Sequence, residues 1–164
     1  MKKTVIYAAL LIALVLSYWF EWRIAERKFS LSAKEPVSYQ ELTDWQVLIL
    51  AIAKTESGCN PQAMGKSNDV GILQITPIYV DEVNRLCGTA SFCHNDAFSI
   101  DKSLSMFTIL QDKKNPNHDL EKAIRLHNPR GASIGYSGKV MANYRFILAL
   151  EEIRKQLVLQ EARK

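Results

Sequence analysis

The stretch from Trp45 to Glu56 constrains this chain more than any other. Trp45, Leu48, Ile49, Ile52, Ala53 and Glu56 recur at helical spacing, so they line one face and the glutamate lies on the apolar side. Ser38 and Glu41 stand at capping-box spacing and predict an N-cap at Ser38. Gly58 is the expected C-cap, and Pro61 bars further helix. Glu56 therefore falls in the last turn. Partial burial and the negative end of the helix dipole both disfavour its carboxylate, so both raise its pKa. A carboxyl protonated near neutral pH is equipped to act as a general acid. The same position also suits a carboxylate paired with an arginine or turned out to solvent, and the helix alone leaves these open.

A polar, turn-rich run follows as far as Val70, and then Gly71-Ile72-Leu73-Gln74-Ile75-Thr76-Pro77. Together with Glu56-Ser57-Gly58-Cys59-Asn60-Pro61-Gln62-Ala63, this segment resembles the lytic transglycosylase family of the lysozyme superfamily. That family carries a Glu-Ser pair at a helix end, a Gly-Leu-Met-Gln-like segment ending near a proline, and a downstream Ala-Tyr-Asn. The counterpart of the third motif here is Leu126-His127-Asn128, with His127 replacing the tyrosine and Pro129 following it. The resemblance covers about residues 45–145.

It implies an all-α, lysozyme-like helical domain acting on peptidoglycan glycan strands, with Glu56 as the single acid/base and no metal or cofactor. Ser57, Gln74, Asn128 and Tyr136 are then expected to position the glycan or orient Glu56. Gln74 and Asn128 carry amides that both donate and accept, which suits an acetamido sugar. Tyr136 matches the family tyrosine that lies near the acid, with Tyr144 as the fallback. His127 is either a switchable neighbour of Glu56 on the substrate side or a satisfied core histidine. Asp69 reads as a turn former or sugar contact; as a second carboxylate it would support a hydrolytic muramidase instead. Gly71 permits close backbone approach, read here as approach to a ligand. The altered third motif also keeps open a membrane-tethered glycan-binding or assembly protein without turnover.

Ahead of this domain, Lys2 and Lys3 precede an uncharged apolar run from Thr4 to Phe20, with Trp19 and Trp22 at its end. No small-residue cleavage site of good form follows. Residues 1–28 are therefore expected to be an apolar helix that anchors the chain in a membrane, with a cleaved signal as the alternative. Residues 29–37 read as a linker, and residues 38–164 as the catalytic domain. The resemblance implies a domain facing the periplasm or cell exterior. The net charge of +4 suits an anionic wall polymer but is too small and dispersed to argue for nucleic acid.

The rest of the chain reads as packing helices. Thr76-Pro77 opens one through Ile78, Val80, Val83 and Leu86. Ile100, Leu104, Phe107 and Gln111 mark a second, capped by Ser99 or Asp101. Asn115-Pro116-Asn117 is a turn, and Asp119 opens a helix with Leu120, Ala123, Ile124 and His127 on one face. A long helix then carries Tyr136, Val140, Tyr144, Ile147, Leu148, Ile153 and Leu157, and is expected to fray beyond Glu151. Cys87 and Cys93 bracket a short loop and can close a disulfide in an oxidising compartment, although Cys59 could bridge to either of them. A zinc site from Cys87, Cys93 and His94 lacks a recognisable ligand framework.

Overall fold

Apolar side chains at helical spacing dominate the chain, and the fold is accordingly helical. The computed structural model describes residues 40–129 and 135–163. Among these residues five α-helices follow in order: α1 Asp44–Ser57, α2 Pro77–Cys87, α3 Ile100–Lys114, α4 Leu120–His127 and α5 Tyr136–Glu161, with a short 3-10 helix, His94–Phe98, before α3. The only β features among the described residues are two isolated bridges, Met64 with Val70 and Val70 with Ile75.

Helix α1 starts later than the sequence pattern predicts. Thr43 is the N-cap: its hydroxyl accepts from Gln46 N at 3.3 Å, and Gln46 Oε1 accepts from Thr43 N at 2.9 Å. This reciprocal pair stands immediately before the first buried residue, Val47, so the helix opens where burial begins. Glu41 instead faces Lys155 of α5 at 3.4 Å, and Ser38 lies outside the described residues. Gly58 ends α1 as expected, at φ 64, donating to the carbonyls of Ala53 and Lys54.

Helices α1 and α5 pack along each other in opposite directions. Glu56 meets Tyr136 at one end and Glu41 meets Lys155 at the other. Between these ends, Asn143 donates to Thr55 Oγ1 and Tyr144 to Asp44 Oδ1, each at 2.9 Å. Helix α2 packs on α3, and α4 touches α1, α3 and α5. The core is built from Val47, Leu48, Ala51 and Ile52 of α1, Leu73 and Ile75 of the connecting loop, Val83, Met106, Phe107, Ile124 and Val140. Phe107 is fully buried, with its ring 5.9 Å from Trp45 and 5.7 Å from His127. Truncating such a side chain to alanine costs about 3–5 kcal/mol.

One of the predicted faces is rotated, and another is covered only along its first part. In α2 the buried residues are Tyr79, Val80 and Val83, whereas Ile78 is exposed. In α5 only Val140 and Tyr144 are buried, and Leu148, Ile153 and Leu157 are exposed. Helix α5 nevertheless runs to Glu161 without fraying at Glu151. Its distal turns are laced by Arg154–Glu151 at 3.2 Å and Gln156–Glu152 at 2.8 Å. Residues Gln40–Lys164 form one compact unit. Among the described residues no helix is long and apolar enough to cross a membrane. The apolar run 4–20, the linker 29–37 and the turn residues 130–134 lie outside the described residues.

Candidate active site

Glu56 is set in place by its position one residue before the end of α1, with the chain turning sharply behind it. Gly58 and Cys59 both take positive φ, at 64 and 66. Ser57 fastens this turn to the next motif: its hydroxyl donates to the Ile72 carbonyl at 2.8 Å and accepts from Asn60 N at 3.1 Å. The Ser57 side chain thus joins the helix end to the Gly-x-x-Gln segment.

That segment is a tight loop with several ties. Gly71 has φ 79, and a Cβ there would overlap the Ala97 carbonyl oxygen. The close approach expected at Gly71 is therefore to the 3-10 helix, and this is a correction to its reading as a ligand contact. Gln74 has φ 49, and its Nε2 donates to Gly71 O at 2.9 Å and Ala63 O at 3.3 Å. His94 Nε2 donates to the Ile75 carbonyl at 3.0 Å, which commits one ring nitrogen of the histidine considered for zinc. Among the described residues no cluster of three or more metal-ligating side chains occurs.

Around the Glu56 carboxyl, α4 and α5 contribute three side chains. Tyr136 Oη donates to Glu56 Oε1 at 2.6 Å. The Asn128 side chain, just past the end of α4, also hydrogen-bonds Glu56. His127 Nε2 lies 3.7 Å from Glu56 Oε1 and donates to the Leu73 carbonyl at 3.0 Å. The His127 side chain is only 2% exposed, so it sits behind the acid and out of reach of solvent. Tyr144 points to Asp44 at the far end of α1, so Tyr136 is the tyrosine that reaches the acid.

The surroundings of Glu56 raise its pKa. Burial raises its pKa most, and the nearby charge of Asp69 raises it further; the hydrogen bonds from Tyr136 and Asn128 pull the other way. The negative end of α1 adds to the upward push. Burial and the Glu56 charge likewise push the Tyr136 hydroxyl up, so it remains a donor. Burial pulls His127 down to about 4, so at neutral pH the ring is uncharged and its approach to Glu56 is not an ion pair. Asp69 accepts from Ser67 N at 3.0 Å and folds against Gly65, in keeping with a turn former.

Cys59, Cys87 and Cys93 are exposed and carry free thiols in this structure. Hydrogen bonds hold the loop between Cys87 and Cys93. Asn84 bonds both the N–H and the carbonyl of Phe92, at 2.9 and 2.8 Å, and Cys93 N donates to Asp96 at 2.9 Å. Tyr79 escaped the sequence reading: it packs edge-on against His127 with ring centroids 5.7 Å apart. Its only sequence signal is an aromatic three residues after Thr76, next to the exposed Ile78.

The profile of the transglycosylase SLT domain family matches residues 38–124. The matched stretch includes Glu56, Ser57 and Gln74 and stops short of His127 and Asn128. The chain is also similar to the membrane-bound lytic murein transglycosylase C of Histophilus somni strains 2336 and 129Pt. Identity to each is 36% over 72 residues, covering 40% of this chain and 20% of the relative. The chain thus spans about a fifth of the length of the curated relatives it matches. With a family profile covering more than half of the chain, helices dominating the described residues, and a half-buried glutamate at the head of its two motifs, the chain belongs to the transglycosylase SLT domain family, the lytic transglycosylases of the lysozyme-like superfamily.

Proposed function

We propose that the chain is a peptidoglycan lytic transglycosylase that cleaves the β-1,4 bond between N-acetylmuramic acid and N-acetylglucosamine. The observation that carries this reading is the state of Glu56: half-buried, pushed toward its protonated form, and held by Tyr136 at 2.6 Å. The Glu56 carboxyl gives its proton to the glycosidic oxygen as the bond to the muramic C1 breaks, assisted by the substrate's own N-acetyl group. The resulting carboxylate takes the proton of the muramic 6-hydroxyl as that oxygen bonds to C1. A 1,6-anhydro ring forms, no water is consumed, and the acid is regenerated.

In this reading Tyr136 orients Glu56 and steadies the carboxylate between the two transfers. Asn128, bonded to Glu56, positions the glycan through its amide, and Gln74, whose Nε2 is held by the Gly71 and Ala63 carbonyls, offers the glycan its Oε1 as an acceptor. Ser57 holds the helix end to the Gly71–Gln74 segment. No metal or cofactor enters this reaction. Residues 4–20 anchor the chain in a membrane with the domain on the periplasmic or exterior side, a placement in keeping with the word "membrane-bound" in the relatives' name.

One observation favours a second reading: Asp69 lies close enough to Glu56 for its charge to act on it. A hydrolytic muramidase would use such a second carboxylate to activate water. Mass spectrometry of purified peptidoglycan digested by the full chain separates the two. Products lighter than the hydrolysis product by one water carry 1,6-anhydro ends and support the transglycosylase. Reducing ends assign the chain to hydrolysis through Asp69. A folded protein that binds glycan but releases nothing overturns both.

A further inference from the structure

Two buried polar atoms have no hydrogen-bond partner among the described residues: Tyr79 Oη and His127 Nδ1. They belong to rings in edge contact, with centroids 5.7 Å apart. One is a donor in need of an acceptor and the other can serve as that acceptor.

The other ring nitrogen of His127 is committed. Nε2 lies 3.0 Å from the Leu73 carbonyl, which only accepts, so Nε2 carries the hydrogen. The same nitrogen lies 3.7 Å from Glu56 Oε1. His127 is therefore the one described side chain whose ring nitrogen faces both the acid and the backbone of the Gly71–Gln74 loop. It cannot touch substrate, being 2% exposed. In the family pattern this position is a tyrosine, which offers no second ring atom to hold.

We propose that His127 is a positioning residue for Glu56, its neutral ring held in the Nε2–H tautomer by Tyr79 and its Nε2–H set between the Leu73 carbonyl and the acid. The two atoms do not bond each other directly; the Tyr79 hydroxyl gives its hydrogen to one buried water that donates to Nδ1, and thereby fixes which nitrogen of the ring is protonated. The acid and the loop that carries Gln74 are then kept in one register. Burial holds the ring uncharged, so it acts as a dipole and not as a counter-ion. Phe107 also packs against the imidazole, with ring centroids 5.7 Å apart. This inference rests on the role of Glu56 proposed above.

The test joins a spectroscopic signature to a variant series in the full chain. Histidine-selective 15N NMR of the wild type, assigned against His127→Gln, is expected to show an Nε2–H tautomer at neutral pH. An Nδ1–H tautomer or an imidazolium overturns the proposal whatever the variants do. His127→Gln places an amide N–H near the Nε2 position and is expected to keep most of the turnover. His127→Phe fills the same space without a donor and is expected to lose about ten- to a hundredfold in kcat with KM unchanged, the scale of a misplaced catalytic group. Phe matching Gln in kcat, or a loss confined to KM, contradicts it. Tyr79→Phe is expected to weaken the tautomer preference in the same spectrum, and an unchanged spectrum removes Tyr79 from the account. Wild-type turnover that disappears in Glu56→Gln keeps the acid reading intact if the histidine result fails. A wild type without turnover fails that reading while leaving the tautomer measurement standing.

Discussion

Glu56 and Glu82 are the same side chain on two helices of one molecule, and their surroundings drive them in opposite directions. Glu82, on the outer face of α2, is clasped by Arg85 through bonds of 2.7 and 2.8 Å and is paired with Lys114 of α3. Hydrogen bonds from these cations hold its pKa down to about 2. Glu56 has no cation beside it among the described residues. It is sunk between α1, α4 and α5, with an uncharged tyrosine, an uncharged histidine and an amide around it and another carboxylate nearby. Burial and partner set, rather than residue type, thus separate an ion that pins two helices from a carboxyl whose pKa is raised.

The contrast can be broken in order of expected effect. Replacing Glu56 with glutamine keeps the shape and removes the proton, so turnover is expected to fall by about 10²–10⁴-fold while the fold survives; release of soluble glycan fragments measures this. Because the folded-state pKa of Glu56 is raised, the native state carries a penalty that grows as pH rises through that pKa. Glu56→Gln is therefore also expected to raise Tm in mildly alkaline buffer.

Gly71→Ala attacks the loop that faces Glu56. It forces a side chain into φ 79 and against the Ala97 carbonyl, so it is expected to cost about 3 kcal/mol, read by denaturant unfolding. Tyr136→Phe sharpens the contrast more gently. It removes a hydrogen bond that favours the carboxylate, so the Glu56 pKa rises further. The alkaline limb of the pH–rate profile, where the acid loses its proton, is expected to move to higher pH, with kcat reduced by about tenfold from the lost orientation.

Glu82→Gln is the smallest change and the control. It should leave turnover alone and lower Tm by a few degrees at most, as exposed ion pairs contribute little. Its pH sense is opposite to that of Glu56. A depressed folded-state pKa gives stability that is present above the unfolded value of about 4.3 and lost as pH falls toward 2. The Tm difference between wild type and Glu82→Gln should therefore vanish in strong acid.

The part of this account that rests on local rules was legible in the sequence. Glu56 could be placed at an inward-facing helix end because spacing and Gly58 define both face and terminus. Thr76, Ser99 and Asp119 were readable as caps for the same reason. Tyr136 was chosen through family resemblance, since nothing local connects it to a glutamate in another helix. What stayed hidden depends on distant partners. Gly71 has no side chain to reveal that it meets Ala97, and Gln74 gives no local sign that its amide is spent on loop carbonyls. Tyr79 gives no local sign that its ring meets His127 of another helix. The exposed Ile153 and Leu157 fit the apolar period of α5, but period alone does not say where the helix against which α5 packs comes to an end. Thr43 displaced Ser38 as cap because reciprocal bonding with Gln46 coincides with the onset of burial.

The most direct measurement is a pH titration of the glutamate side-chain carboxyls by 13C NMR on the full chain, with Glu56 and Glu82 assigned from the two glutamine variants. The account predicts a Glu56 midpoint above the ordinary value of about 4.3 and a Glu82 midpoint well below it. A Glu56 midpoint at or below that value would mean a carboxylate already ionised where a proton donor is required, and would contradict its role as the acid.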